Sequence, residues 1–134
     1  MWPERMGKGR SASFSQKAGK RTARFTSPHL VRVTERFSFD GQEADDALFL
    51  EAFEAVKASY VHFEQEGLGH PTYFEYLFLM FMWMVRRKKP EYVILETGLG
   101  GRLDATNCIE HPALTVITSI SLDHMEYLGG TVTQ

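Results

Sequence analysis

Apolar and polar positions change period several times along this chain, and each change marks an element. Residues 1–21 keep neither a helical nor a strand period and are rich in Lys, Arg, Ser and Gly, as a loosely ordered arm is. Residues 22–26 fit a short strand stopped by Ser27 and Pro28, because a residue before proline is pushed towards extended geometry. Val31, Val33, Glu35, Phe37 and Phe39 then fall on one side, which predicts a β-ribbon or edge strand over 31–39 closed by an Asp40-Gly41 turn. From 45 to 66 the period lengthens: Leu48, Phe49, Ala52, Phe53, Val56, Tyr60 and Phe63 recur as on one face of an amphipathic helix, which Gly67 and Gly69 end.

After Pro71, Thr72 and Glu75 form a T-x-x-E capping box that opens a second helix. This helix is apolar on nearly every side through Val85, which predicts burial all round. Arg86, Arg87, Lys88 and Lys89 oppose the negative end of its dipole, and Pro90 prevents continuation. Residues 92–96 and 114–120 are continuous apolar runs of the kind that buried parallel strands show, joined by a glycine-rich loop. The alternation of strands and helices predicts an α/β fold.

Composition narrows the class. In 134 residues, 43% apolar and 13% aromatic side chains argue for a globular fold of one domain or part of one. Cys108 is the only cysteine, which excludes an internal disulfide and fits a reducing cytosol, so a cytoplasmic protein is expected. The longest apolar run, 76–85, is too short to span a bilayer, and no secretory signal is recognisable at the N-terminus. The net charge of −2 hides a division: residues 1–34 hold eight of the fifteen basic and one of the seventeen acidic side chains, leaving seven and sixteen for the remainder. A basic arm can bind a polyanion, but no aromatic residues interleave it for base stacking. A basic-arm nucleic-acid binder is therefore only a minor alternative.

The chemistry concentrates at strand ends. Residues 93–107, VILETGLGGRLDATN, run from an apolar strand into Glu96 and then a loop carrying Arg102 and Asp104. Ser27, Glu96 and the Asp123-His124 pair each follow the carboxyl end of a predicted strand, and parallel strands would bring those ends to one edge of a sheet. A hydroxyl, a carboxylate and an imidazole there could hold a hard divalent cation that keeps several waters.

The string GLGGRLDATN after a strand ending in Glu resembles the signature of the folylpolyglutamate synthase and dihydrofolate synthase family, within the ATP-dependent Mur ligase superfamily. TSPHL at 26–30, TERF at 34–37, TYFE at 72–75 and ITSISLDHMEYLG at 117–129 are similar to that family's landmarks in order and spacing. The resemblance implies a three-layer, P-loop-NTPase-like fold, the Mur ligase central domain, with a mostly parallel sheet flanked by helices and truncated at both ends. Residues 1–21 would be a basic arm with a degenerate P-loop remnant, and 22–134 a partial ATP-binding domain.

The implied reaction is ATP-dependent addition of L-glutamate to a folate or dihydropteroate through an acyl phosphate. By the same resemblance, Ser27, Glu96 and His124 would bind Mg²⁺, with Glu96 and His124 also catalytic, and Thr72, Tyr73, Phe74, Glu75, Leu103, Asp104 and Ala105 would contact the folate. Helix capping alone accounts for Thr72 and Glu75, and core packing for Phe74. Gly7, Lys8 and Gly9 would meet ATP, but Glu4, Arg5, Met6 and Arg10 replace the glycine, threonine, asparagine and hydroxyl residue of the family's GTNGKGS or GTNGKGT. The expectation is a fragment inactive alone, from an enzyme that is monomeric when complete and has no membrane partner. The alternative is a non-catalytic module that keeps pterin or Mg²⁺ contacts.

Overall fold

The computed structural model describes residues 19–117. Strand β1 (Thr22–Phe25) leads to a 3₁₀ turn at Val33–Arg36, then β2 (Phe37–Phe39) and β3 (Gln42–Glu43). Helices α1 (Asp46–Ala58), α2 (Tyr60–Gln65) and α3 (Tyr73–Lys88) follow, and β4 (Tyr92–Leu95) precedes a second 3₁₀ turn at Ala105–Cys108. The sheet order is β3-β2-β1-β4. β1 and β4 run parallel, with Phe25 opposite Leu95, whereas β2 pairs antiparallel with both β1 and β3. The expected α/β architecture is present, and among the described residues its sheet is mixed.

The antiparallel part follows from the turn. Asp40 and Gly41 both take positive φ, 51° and 82°, the two-residue hairpin geometry that matches strand twist. Asp40 also accepts the Thr22 N–H at 2.7 Å, which locks the hairpin to β1. The predicted ribbon over 31–39 is shorter than its alternation suggested. Glu35 turns its carboxylate back onto the N–H groups of Leu30, Val31 and Arg32 at 2.8–2.9 Å, and this local capping takes 33–36 out of the sheet.

The core lies between the sheet and α3. Phe25, Phe37, Met80, Phe81 and Met84 are its largest fully buried side chains. Each contributes about 1.5–3 kcal/mol of transfer free energy relative to an exposed position. Phe81 sits centrally, its ring centre 5.3 Å from Phe25, 5.9 Å from Phe39 and 6.4 Å from Phe37. α3 is not buried all round as predicted: Leu77, Phe78, Met80, Phe81 and Met84 are covered, while Tyr76, Leu79, Met82 and Trp83 are half-buried.

α1 packs on α3 through Leu48, Ala52 and Val56, four residues apart. Asp45 caps it by accepting the Leu48 N–H at 2.7 Å. The single helix expected over 45–66 is two, because the Ser59 hydroxyl donates to the Ala55 carbonyl at 3.1 Å and the ladder restarts there. α3 opens with the predicted capping box, Thr72 and Glu75 satisfying each other's backbone N–H. Lys89, in a left-handed conformation with φ of 50°, donates its N–H to Val85 and ends the helix before Pro90.

Two strand expectations need correction. β4 is a strand but not a buried one: Tyr92 is 51% and Val93 40% exposed, because β4 lies at an edge of the described sheet. The described part of the run over 114–120 is in no strand, with Leu114, Val116 and Ile117 exposed. Residues 118–120 lie outside the described residues. No helix among the described residues is long and apolar enough to cross a membrane.

Candidate functional site at the carboxyl ends of β1 and β4

Parallel pairing puts the carboxyl ends of β1 and β4 side by side, and the chain emerges there as Thr26-Ser27 and as Glu96. The Glu96 N–H donates to the Phe25 carbonyl at 3.0 Å, which extends the ladder by one bond. Glu96 Oε2 then accepts the Ser27 N–H at 3.0 Å. A hydroxyl residue and a carboxylate from segments 69 residues apart thus meet at one corner.

The loop beyond Glu96 is built around Asp104. Its Oδ2 accepts the N–H groups of Gly98 and Leu99 at 3.0 and 2.8 Å, and its Oδ1 accepts the Thr106 N–H at 2.9 Å and the Thr106 hydroxyl. Gly101, at φ of 129°, lets the chain reverse inside this ring of bonds. Gly98 serves a different need: a Cβ there would lie 2.6 Å from Phe74 Cζ, so the start of α3 presses directly on the loop. The Phe74 ring also lies 5.7 Å from that of Phe25. The Ser27–Glu96 corner, the helix start at 72–75 and the loop at 98–105 therefore form one continuous region.

No protein-family model matches the chain. It is 38% identical to a folylpolyglutamate synthase of Arabidopsis thaliana over 130 residues, which cover 94% of this chain and 23% of that protein. Its fold matches E. coli FolC, solved in complex with DHPP and ADP, with a TM-score of 0.80 and 39% identity over 90% of this chain and 27% of that one. It also matches the bifunctional folylpolyglutamate synthase/dihydrofolate synthase of Yersinia pestis, solved with AMPPNP and a Mn ion, with a TM-score of 0.62 and 36% identity over 76% of this chain and 25% of that one. The chain belongs to the folylpolyglutamate synthase/dihydrofolate synthase family. It spans about a quarter of the length of the relatives it matches.

Within this family member, the structure joins nine of the thirteen residues singled out from the sequence. Ser27 and Glu96 share a hydrogen bond. Thr72, Tyr73, Phe74 and Glu75 adjoin Leu103, Asp104 and Ala105 through the Phe74–Gly98 contact and the packing of α3 on the second 3₁₀ turn. Gly7, Lys8, Gly9 and His124 lie outside the described residues. Among the described residues, no three His, Cys, Asp or Glu side chains cluster as a metal site. The donors at the Ser27–Glu96 corner, hydroxyl and carboxylate oxygens, suit a hard cation that retains water.

Hydrogen-bond donors hold two carboxyl groups, Glu75 and Glu35, below their ordinary values. The Thr72 N–H and then its hydroxyl, both directed at Glu75, hold that carboxyl below its ordinary value. The N–H groups of Arg32, Leu30 and Val31 pull Glu35 down to about 2. Arg102 and Asp104 supply opposite charges within three residues, but the four donors above occupy the Asp104 carboxylate, which organises the loop.

Sequence reasoning missed Arg36 and His29 as a pair. Arg36 Nε donates to His29 Nδ1 at 2.9 Å, and the Arg36 guanidinium lies 5.9 Å from the centre of the Tyr73 ring. Both residues stood inside family landmarks, TERF and SPHL, yet no spacing rule pairs positions seven apart across a turn.

Proposed function

We propose that this chain carries the metal-binding corner and the folate-facing wall of an ATP-dependent ligase that adds L-glutamate to a folate or dihydropteroate. In that reaction the substrate carboxylate attacks the γ-phosphorus of ATP and ADP leaves. The amine of glutamate then attacks the acyl phosphate, and phosphate leaves. The observation that carries this reading is the meeting of Ser27 and Glu96 beside the Phe74–Gly98 contact, which puts hard oxygen donors next to a wall with exposed apolar surface. Tyr73, 62% exposed, and Leu103, 90% exposed, offer that surface to a flat heterocycle.

Ser27, Glu96 and His124 would hold Mg²⁺, which neutralises charge on phosphate oxygens when bound. Thr72, Tyr73, Phe74, Glu75, Leu103, Asp104 and Ala105 would contact the folate, while Gly7, Lys8 and Gly9 would meet ATP. The family resemblance supports a cytoplasmic enzyme that is monomeric when complete.

We infer that the chain binds without turning over, since Glu4 brings a negative charge to the phosphate loop and Arg10 replaces its hydroxyl residue. The same replacements favour the second reading, a non-catalytic module that keeps pterin and metal contacts. Calorimetric titration with dihydropteroate and with Mg²⁺, beside an assay of glutamate addition, tests these statements. Binding without product is expected. Turnover at the rate of a complete ligase would overturn the inactivity, and neither heat nor thermal stabilisation by either ligand would remove the site. ATP hydrolysis by this chain would argue against the non-catalytic reading.

A further inference from the structure

A cavity of about 380 Å³ opens at the end of the sheet away from the Ser27–Glu96 corner. Thr22 and Phe25, the two ends of β1, lie about 10 Å apart at about 3.3 Å per residue, so the cavity beside Thr22 is separate from the corner beyond Phe25. The start of β1, the hairpin turn leading into α1, and the end of α3 surround it. α1 and α3 run antiparallel, as the Arg87–Glu51 ion pair at 3.3 Å and the Phe53–Tyr76 ring contact show, which brings the end of α3 to the beginning of α1.

The walls carry opposite charges beside an apolar surface made by Phe39, Ala44, Leu48 and Pro90. Asp40, Glu43 and Asp45 are the anions, and they are fixed in place. Asp40 Oδ1 accepts the Thr22 N–H and Asp45 Oδ1 the Leu48 N–H, both at 2.7 Å, while Glu43 Oε2 accepts the Thr34 hydroxyl at 3.1 Å. Arg21 and Lys88 are the cations, and they are held loosely or not at all. Glu91 lies 3.0 Å from Lys20 Nζ but 3.9 Å from Arg21 Nε, and no side chain among the described residues pairs with the Lys88 ammonium. A ligand carrying only a positive charge would face Arg21 and Lys88 unpaired, and one carrying only a negative charge would meet the carboxylates, so the lining suits a molecule with both. Arg21 precedes Thr22, whose N–H holds Asp40, so a cation and an anion adjoin here as they do on the α-carbon of an amino acid.

We propose that this cavity is a second small-molecule site, one that takes an α-amino acid with an apolar side chain. The ligand carboxylate lies between Arg21 and Lys88, its ammonium against Asp40 and Asp45, and its side chain on Phe39, Leu48 and Pro90. Small-ligand sites are usually about 300–1,000 Å³, and a volume of about 380 Å³ is at the low end, enough for an amino acid and a few waters of about 30 Å³ each.

Titration of the isotope-labelled chain with L-leucine, followed by amide resonance shifts, tests the proposal. Saturable shifts are expected over residues 40–48 and at Lys88 and Lys89, with none at Ser27 or Glu96, and a dissociation constant of about 1 mM is ordinary for so small a ligand. Isoamylamine, which lacks the carboxylate, and isocaproate, which lacks the amine, should each bind at least about tenfold more weakly. Lys88→Gln should weaken leucine about tenfold and isoamylamine not at all, whereas Asp45→Asn, which keeps the helix cap, should weaken leucine about tenfold and isocaproate not at all. If Asp45→Asn does not fold, Lys88→Gln, at an exposed position, decides. Either analogue binding as tightly as leucine, or leucine affinity unchanged in Lys88→Gln, would overturn the proposal. So would shifts confined to Ser27, Glu96 and the 98–105 loop, or no saturable shift at about twenty times the expected dissociation constant.

Discussion

Replacing Gly98 by alanine puts a methyl group where Phe74 already stands. The new Cβ would lie 2.6 Å from Phe74 Cζ, 2.9 Å from Phe74 Cε2 and 2.9 Å from Asp104 Oδ2. Carbon atoms in contact prefer about 3.5–4.0 Å, so the ring must withdraw by roughly 1 Å. Phe74 is half-buried and can yield outwards, but its other side packs on Phe25. Overpacking of this kind costs about 1–3 kcal/mol. The Asp104 oxygen must also back away from the Gly98 and Leu99 N–H groups, which weakens two exposed bonds by roughly a few tenths of a kcal/mol each. Against this, alanine restricts the unfolded chain and returns about 0.4–1 kcal/mol.

The net expectation is a loss of about 1–2 kcal/mol, the overpacking term winning over the entropy gain. Urea unfolding of Gly98→Ala, Phe74→Leu and the double variant, followed by circular dichroism, gives the cycle. The cost of Gly98→Ala should fall by about 1 kcal/mol or more in the Phe74→Leu background, where the ring atoms in the way are gone. Gly101→Ala is the contrast: a Cβ there meets nothing within 4 Å, so its cost comes from φ of 129° alone and should be the same in both backgrounds. A cost for Gly98→Ala that is below about 0.5 kcal/mol, or equal in both backgrounds, would refute the reasoning, because independent sites add within about that margin.

Phe81→Ala removes the ring at the centre of the aromatic core and should cost about 3–5 kcal/mol, a large share of a domain's stability; a thermal midpoint close to wild type would contradict the central role given to that ring. Glu35 is held at about 2 against an ordinary 4.5, so its contribution to the 30–36 turn is fully present above pH 4.5 and is lost as pH falls towards 2. The amide resonances of Leu30, Val31 and Arg32 should therefore titrate with a midpoint near 2, and a midpoint near 4.5 would mean that the three bonds do not form in solution. Thr72→Ala breaks the capping box of α3 and should cost about 0.5–2 kcal/mol in urea unfolding, with Thr72→Ser recovering most of it; no recovery would assign the loss to something other than the cap.

Local chemistry wrote much of this fold legibly. Thr72 and Glu75 cap α3 because the two groups are three residues apart in any helix start. Asp40 and Gly41 make the hairpin because each tolerates positive φ. Glu96 and Ser27 could be assigned to one edge because both follow strand ends and parallel strands align those ends. The same local signals misjudged three places. Alternation over 31–39 could not show that Glu35 would spend its carboxylate on the preceding turn. Spacing over 45–66 could not show the break at Ser59, where a hydroxyl competes for the Ala55 carbonyl. An apolar run at 92–95 could not show that β4 stands at an edge of the described sheet with Tyr92 and Val93 open to solvent.

By itself, then, the sequence determined the α/β class, the helix caps, the hairpin turn and the family, since each rests on residues within a few positions of one another or on a string long enough to be specific. Only the tertiary structure decided that Phe74 would lie on Gly98, that Ser27 would reach Glu96 across 69 residues, and that Arg36 would join His29 to Tyr73. Those contacts depend on which way side chains leave a packed sheet and helix. Packing sets those directions globally, and no local pattern along the chain encodes them.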